Sequence, residues 1–89
     1  MTDAELLTKV KNGLGLSGTY NDEVLKIKIA AVKAMMVNAG ITVENIETDL
    51  GVAVITVGVS DLWNLQPGEI NFSQAFHIMM SQLMVVSLP

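Results

Sequence analysis

Apolar side chains recur along this chain at helical intervals, and the intervals are broken by glycine, asparagine and proline. The first segment opens at Thr2 with Glu5 three positions on, the reciprocal capping box that satisfies free amides at a helix start. Leu6, Leu7 and Val10 form its apolar side, and Asn12-Gly13 supplies a stop, because glycine tolerates the left-handed conformation that closes a helix. After the flexible connector Leu14-Gly15-Leu16-Ser17-Gly18, the polar set Thr19, Asn21 and Asp22 opens the strongest helix, which is predicted to end near Gly40. On a 100° wheel Glu23, Lys26 and Lys33 gather on one side, while the apolar residues cover more than one core-facing stripe needs. Lys28 divides them. On one side lie Val24, Ile27, Ala31, Ala34 and Met35, on the other Leu25, Ile29, Val32 and Met36, and two apolar faces imply two contacts.

Asp49 to Asn64 is ambiguous. Val52, Val54, Ile55, Thr56, Val57 and Val59 favour a strand by propensity. Asp49, Ala53, Thr56, Ser60 and Asn64 nevertheless fall at spacings of four, three, four and four, a small or polar stripe that leaves Leu50, Val54, Val57 and Leu62 opposite on a helix. Gly58 weakens either assignment. Gln66-Pro67-Gly68-Glu69 is a turn, since proline presets its backbone angle and glycine accepts the positive one that follows. A last helix begins at Asn71 or Ser73, carries Phe72, Ala75, Phe76, Met79 and Leu83 at helical intervals, and ends near Val86.

The composition adds a constraint on surface. A chain of 89 residues has room for one domain, and with 51% hydrophobic and only 16% charged residues it is no disordered segment. So small an interior cannot take all of this apolar surface, and part of it is expected to face another subunit or partner. Nine acidic residues against five lysines and no arginine give a net charge of −4, which argues against a nucleic-acid reader: it lacks the planar forks that grip phosphates and bases. There is no cysteine for a disulfide or a thiolate metal site. The acidic start Met1-Thr2-Asp3-Ala4-Glu5 is unlike a secretory signal, so a cytoplasmic origin is the default expectation. Ile70 to Pro89 is free of formal charge, but Ser73, Gln74, His77, Ser81 and Gln82 interrupt it, so an amphipathic segment rather than a membrane span is expected.

Residues with chemical potential are scattered. His77, the single histidine, shares a polar stripe with Gln74 and Ser81 and has neither an orienting group nor a nucleophile in view. Asp22 and Glu23 suit the positive end of a helix dipole, and Asp22 can pair with Lys26 a turn later. Glu44, Glu47 and Asp49 make an acidic patch without the loop pattern of a calcium site. Gly13, Gly15 and Gly18 are not followed by the lysine and hydroxyl of a phosphate loop. Met35, Met36, Met79 and Met80 suit a core or an adaptable interface, and Trp63 suits a core cover or a binding hot spot. A helix-turn-helix around Asn38-Ala39-Gly40 would present Glu44, Glu47 and Asp49 to phosphates, which charge forbids.

The run from Leu14 through Thr19-Tyr20-Asn21-Asp22-Glu23 to Ile29-Ala30-Ala31-Val32-Lys33 resembles the approach to the second helix in phage head-tail connector proteins, also called head-completion or adaptor proteins. Asp61-Leu62-Trp63-Asn64 resembles the aspartate-leucine-aromatic-asparagine ending of their third helix, although no arginine follows it. The likeness runs from about Leu6 to Leu83 and consists of soft patterns. It implies an all-α fold, a small bundle of three principal helices plus a C-terminal helix, in one domain over 1–89. It also implies a homo-oligomeric ring beneath the portal protein, which extends the DNA channel and docks a stopper or tail-completion protein. DNA would pass without sequence-specific binding, and the place of action would be the head-tail junction of the virion, after synthesis in the bacterial cytoplasm. No catalytic residue, cofactor, metal or membrane contact is expected. Subunit or partner contacts are expected at Leu25, Lys28, Ile29, Val32 and Met36 on the second helix, at Trp63 and Leu65 before the turn, and at Phe72 and Met80 on the last helix. The alternative is a small cytoplasmic regulatory or adaptor protein that binds one partner through an apolar helix face. An acyl-carrier role fails on the order Ser60-Asp61-Leu62, which reverses the arrangement a phosphopantetheine arm requires.

Overall fold

A computed structural model of the chain describes residues 1–64 and 72–88. It contains helices α1 (Asp3–Leu14), α2 (Asp22–Asn38), α3 (Val43–Ile46), α4 (Asp49–Asn64) and α5 (Gln74–Val86), with no strand among the described residues. The fold is therefore an all-α bundle. Its one addition to the expected elements is α3, a single turn opened by the Thr42 hydroxyl, which accepts from the Asn45 amide. Leu65, the Gln66–Glu69 turn and Asn71 lie outside the described residues.

The valine-rich segment is a helix because it is the centre of the molecule. α1, α2, α3 and α5 all pack on α4, and Val54, Ile55 and Val59 are fully buried between them. Branched side chains give up χ1 freedom in a helix, and the burial of each offsets that by about 1.5–3 kcal/mol. Glycine makes the crowding feasible. A Cβ on Gly58 would stand 2.8 Å from Phe76 Cε2 and 3.0 Å from Val32 Cγ1, so α2 and α5 close on α4 where it has no side chain. A Cβ on Gly51 would collide with the carbonyl oxygens of Asn45 and Ile46, which lets α3 turn directly into α4.

The helix ends follow the sequence with two corrections. Thr2 and Glu5 form the complete capping box of α1, Glu5 N donating to Thr2 Oγ1 at 3.1 Å. The helix passes through Asn12-Gly13 and stops two residues later, with Gly15 as the cap at φ 71°. Gly13 is instead a contact point, 2.9 Å from Thr56 Cγ2 were it to carry a Cβ. Asp22 does not pair with Lys26. It accepts from Lys11 Nζ at 2.8 Å, and the same ammonium donates to the Gly18 carbonyl, which fastens the end of α1 to the start of α2. Lys26 pairs with Glu23 at 3.2 Å. Ser73 caps α5 by accepting from Phe76 N at 3.2 Å.

The core reverses one expectation. Leu25, Ile29, Val32 and Met36, expected at a subunit contact, are all buried within the chain itself. They form the inner seam of α2, and with Leu6, Leu7, Val10, Ile41, Ile46, Phe76 and Leu83 they make one cluster around α4. The physical reason is size. A small domain gains most by burying its bulkiest seam, and this seam is all large side chains, whereas the opposite one contains Ala31 and Ala34.

Candidate functional site: the outward faces of α2 and α5

The outer stripe of α2 is the seam that the core leaves uncovered. Val24 is 45%, Ile27 71% and Met35 38% exposed, and Ala31 and Ala34 between them are exposed as well. Inner and outer seams coexist because both repeat at helical intervals on a helix of 17 residues, offset by more than a quarter turn. The charged residues Glu23, Lys26 and Lys33 lie off the outer stripe, so its centre is free of charge.

A second outward stripe runs along α5. Phe76 and Leu83 point into the core, and Met79 and Met80 pack against it half-buried. The opposite side presents Ile78, 51% exposed, and Val85, 66% exposed, with Ala75 and Gln82 also exposed. The helix is held in place at both ends. Asp61 Oδ2 on α4 accepts from the Ser73 amide at 3.0 Å and its hydroxyl at 2.8 Å, while Ser87 Oγ accepts from Asn45 Nδ2 at 2.9 Å and from the Thr42 amide at 3.3 Å.

The remaining expected contact residues divide. Trp63 is 44% exposed and carries the Lys28 ammonium 5.6 Å from its ring centroid, a cation–π pair that ties the second turn of α2 to the end of α4. Leu14, Leu16 and Ser60 border the same shallow depression as Trp63. Phe72 is half-buried and stacks on Phe76 with centroids 4.4 Å apart, so it extends the core. Trp63 with Lys28 is open to a partner; Phe72 and Met80 are mainly internal.

His77 is exposed, stands edge-on to Phe76 at 5.9 Å, and its carbonyl accepts from Ser81 Oγ. Glu47, in the acidic patch, accepts from the Met1 ammonium at 3.1 Å. Among the described residues no three histidine or carboxylate side chains come together to hold a metal ion, and no helix is long and apolar enough to cross a membrane. A groove of about 310 Å³ between α1 and α2 has Leu6, Leu7 and Ile29 in its floor and Asp3, Lys26 and Lys33 at its rim. Its floor residues are already nearly covered.

The most exposed apolar surface on the long helices therefore lies on α2 and α5. No protein-family model, curated protein or solved structure matches the chain. Sequence periodicity displayed both faces of α2, and the signal that assigns them is bulk: four large side chains inward, a seam with two alanines outward.

Proposed function

We propose that the chain acts by assembly, as a head-tail connector subunit of a tailed phage or prophage that rings the DNA channel beneath the portal and docks the stopper or tail-completion protein. The observation that carries the reading is the outer stripe of α2, where Ile27 stands 71% exposed in line with Val24, Ala31 and Ala34 on a helix whose opposite seam already fills the core. A stripe of this kind on a lone monomer gains nothing, whereas burial of one aliphatic side chain against a neighbour contributes about 1.5–3 kcal/mol.

The particular assembly comes from the likeness of Leu14 through Lys33, and of Asp61 through Asn64, to the connector pattern. The charge agrees with it: a net −4 with no arginine gives a channel wall that does not hold the phosphates sliding past. The contact residues of such a ring are Val24, Ile27, Ala31 and Met35 rather than the buried Leu25, Ile29, Val32 and Met36.

Electron microscopy of the protein mixed with purified portal tests this. Ring-on-ring particles are expected. A stoichiometric one-to-one complex with another soluble protein, and no density added to the portal, would establish the regulatory adaptor instead.

A further inference from the structure

Lys28 is a half-buried cation with no carboxylate beside it among the described residues. The two other half-buried lysines each have one: Lys11 has Asp22 at 2.8 Å, and Lys33 has Asp3 at 3.8 Å. The acids nearest Lys28 and Trp63 in the sequence are committed elsewhere, Glu23 to Lys26 and Asp61 to the amide and hydroxyl of Ser73. Lys28 rests instead against the Trp63 ring, 5.6 Å from its centroid. A ring face attracts the charge, but an ammonium has three N–H donors, and among the described residues no oxygen accepts from them.

Trp63 also borders a depression of about 210 Å³, whose other walls are Leu14, Leu16 and Ser60. Pockets that enclose a drug-sized ligand or cofactor run to roughly 300–1,000 Å³, so this one has room for a single apolar side chain. The Leu16 wall is fixed before anything binds. Gly15 caps α1 at φ 71°, the Leu16 amide donates to the Lys11 carbonyl at 2.9 Å, and the Lys11 ammonium holds the Gly18 carbonyl and Asp22. A preformed wall lowers the ordering cost of binding, and a half-exposed tryptophan beside it is the residue type that dominates such contacts.

We infer that the corner formed by Trp63 and Lys28 docks an acidic peptide segment of a partner protein, one apolar side chain entering the depression and an adjacent carboxylate accepting from the Lys28 ammonium. The charge selects the partner. A basic segment meets repulsion from Lys28, and a wholly apolar one covers Lys28 without supplying a counter-ion, which costs desolvation with no return. The net charge of −4 opposes an acidic partner only at a distance, because the Debye length at physiological ionic strength is about 8 Å. At contact Lys28 decides. The site is separate from the outer stripe of α2, and it stands whether or not the chain forms a ring.

Trp63 is the single tryptophan, so the emission of the full chain reports the site. The probes are an acetylated and amidated tripeptide of leucine, glutamate and leucine, and the same peptide with glutamine in the middle. Emission should change saturably with millimolar glutamate peptide, and the glutamine peptide should bind about two- to fivefold more weakly, the ratio a partly exposed ion pair supplies. Lys28→Met keeps an aliphatic stem on the ring and should bind both peptides alike, while Lys28→Arg should restore the preference. Leu16→Ser, at an exposed position, should weaken both peptides equally. Equal binding of the two peptides by the wild type overturns the inference, as does emission unchanged up to tens of millimolar peptide. So does a preference that survives in Lys28→Met. Emission that shifts when the protein alone is diluted assigns the corner to a second copy and overturns it too.

Discussion

At the scale of single residues, Gly51, Gly58 and the two faces of α2 make the sharpest demands on residue identity. Alanine is the better helix former by about 0.8–1 kcal/mol, yet Gly58→Ala would put a methyl 2.8 Å from Phe76 and 3.0 Å from Val32. Overpacking of this kind costs about 1–3 kcal/mol, so we expect net destabilisation in urea melts. Gly51→Ala is expected to cost more, because the atoms it meets are the backbone oxygens of Asn45 and Ile46 rather than side chains that can turn aside. The faces of α2 give a sharper contrast. Met36→Ala empties a fully buried site and should cost about 2–5 kcal/mol. Ile29→Asp or Met36→Asp should unfold the chain, since a buried unpaired charge costs several kcal/mol against a total stability of about 5–15 kcal/mol. Ile27→Asp, on the same helix but exposed, should leave a folded chain with the helical circular dichroism spectrum of the wild type. The existence of both faces was legible from a 100° wheel. Their assignment was not, because a wheel ranks hydrophobicity and carries no information about which seam meets α4.

At the scale of elements, caps and anchors decide how firmly each helix is held. The backbone amide and hydroxyl of Thr2 donate to Glu5 and hold its carboxyl below the usual glutamate range. A group depressed in the folded state stabilises fully above its unfolded value, about 4.3 for glutamate, and that contribution is lost as the pH falls through the lower folded value. The first turn of α1 should therefore lose protection against amide exchange, measured relative to the intrinsic rate at each pH, below about pH 4.3, and Glu5→Gln should remove that part of the acid response. Thr2→Ala should cost about 1 kcal/mol through the lost cap. Ser73 serves α5 twice, as its cap and as a donor to Asp61. Ser73→Ala should raise amide exchange across the first turns of α5 while leaving α1 and α2 protected. These starts were readable because a cap involves residues three apart. The stop of α1 at Gly15 rather than Gly13 was not, since Gly13 is occupied by its approach to Thr56. For α4, propensity pointed to a strand and spacing to a helix, and its position among four neighbours favoured the spacing.

At the scale of the whole molecule, the helices spread into a body of 40 × 31 × 18 Å, no more than two helix layers thick. Its accessible surface is 5585 Å², against about 5,000 Å² expected for this mass. A thin body around one central helix leaves the outer helices with uncovered backs, and those backs are apolar on α2 and α5. Association through the outer apolar stripe of α2 should persist in 1 M salt, where the Debye length is about 3 Å, and should strengthen in sulfate, which favours burial of apolar surface. Sedimentation at low and high salt measures this, and dissociation in salt would point to ion pairs instead. The amino-acid order determined the helix starts, the helical spacing and the apolar surplus, because each depends on residue identity or on partners within a turn or two. Only the tertiary structure decided that the valine-rich segment is the central helix, that Leu25, Ile29, Val32 and Met36 turn inward, and that Ile27 and Val85 remain outside. Burial belongs to a pair of surfaces, and the second surface comes from elsewhere in the chain.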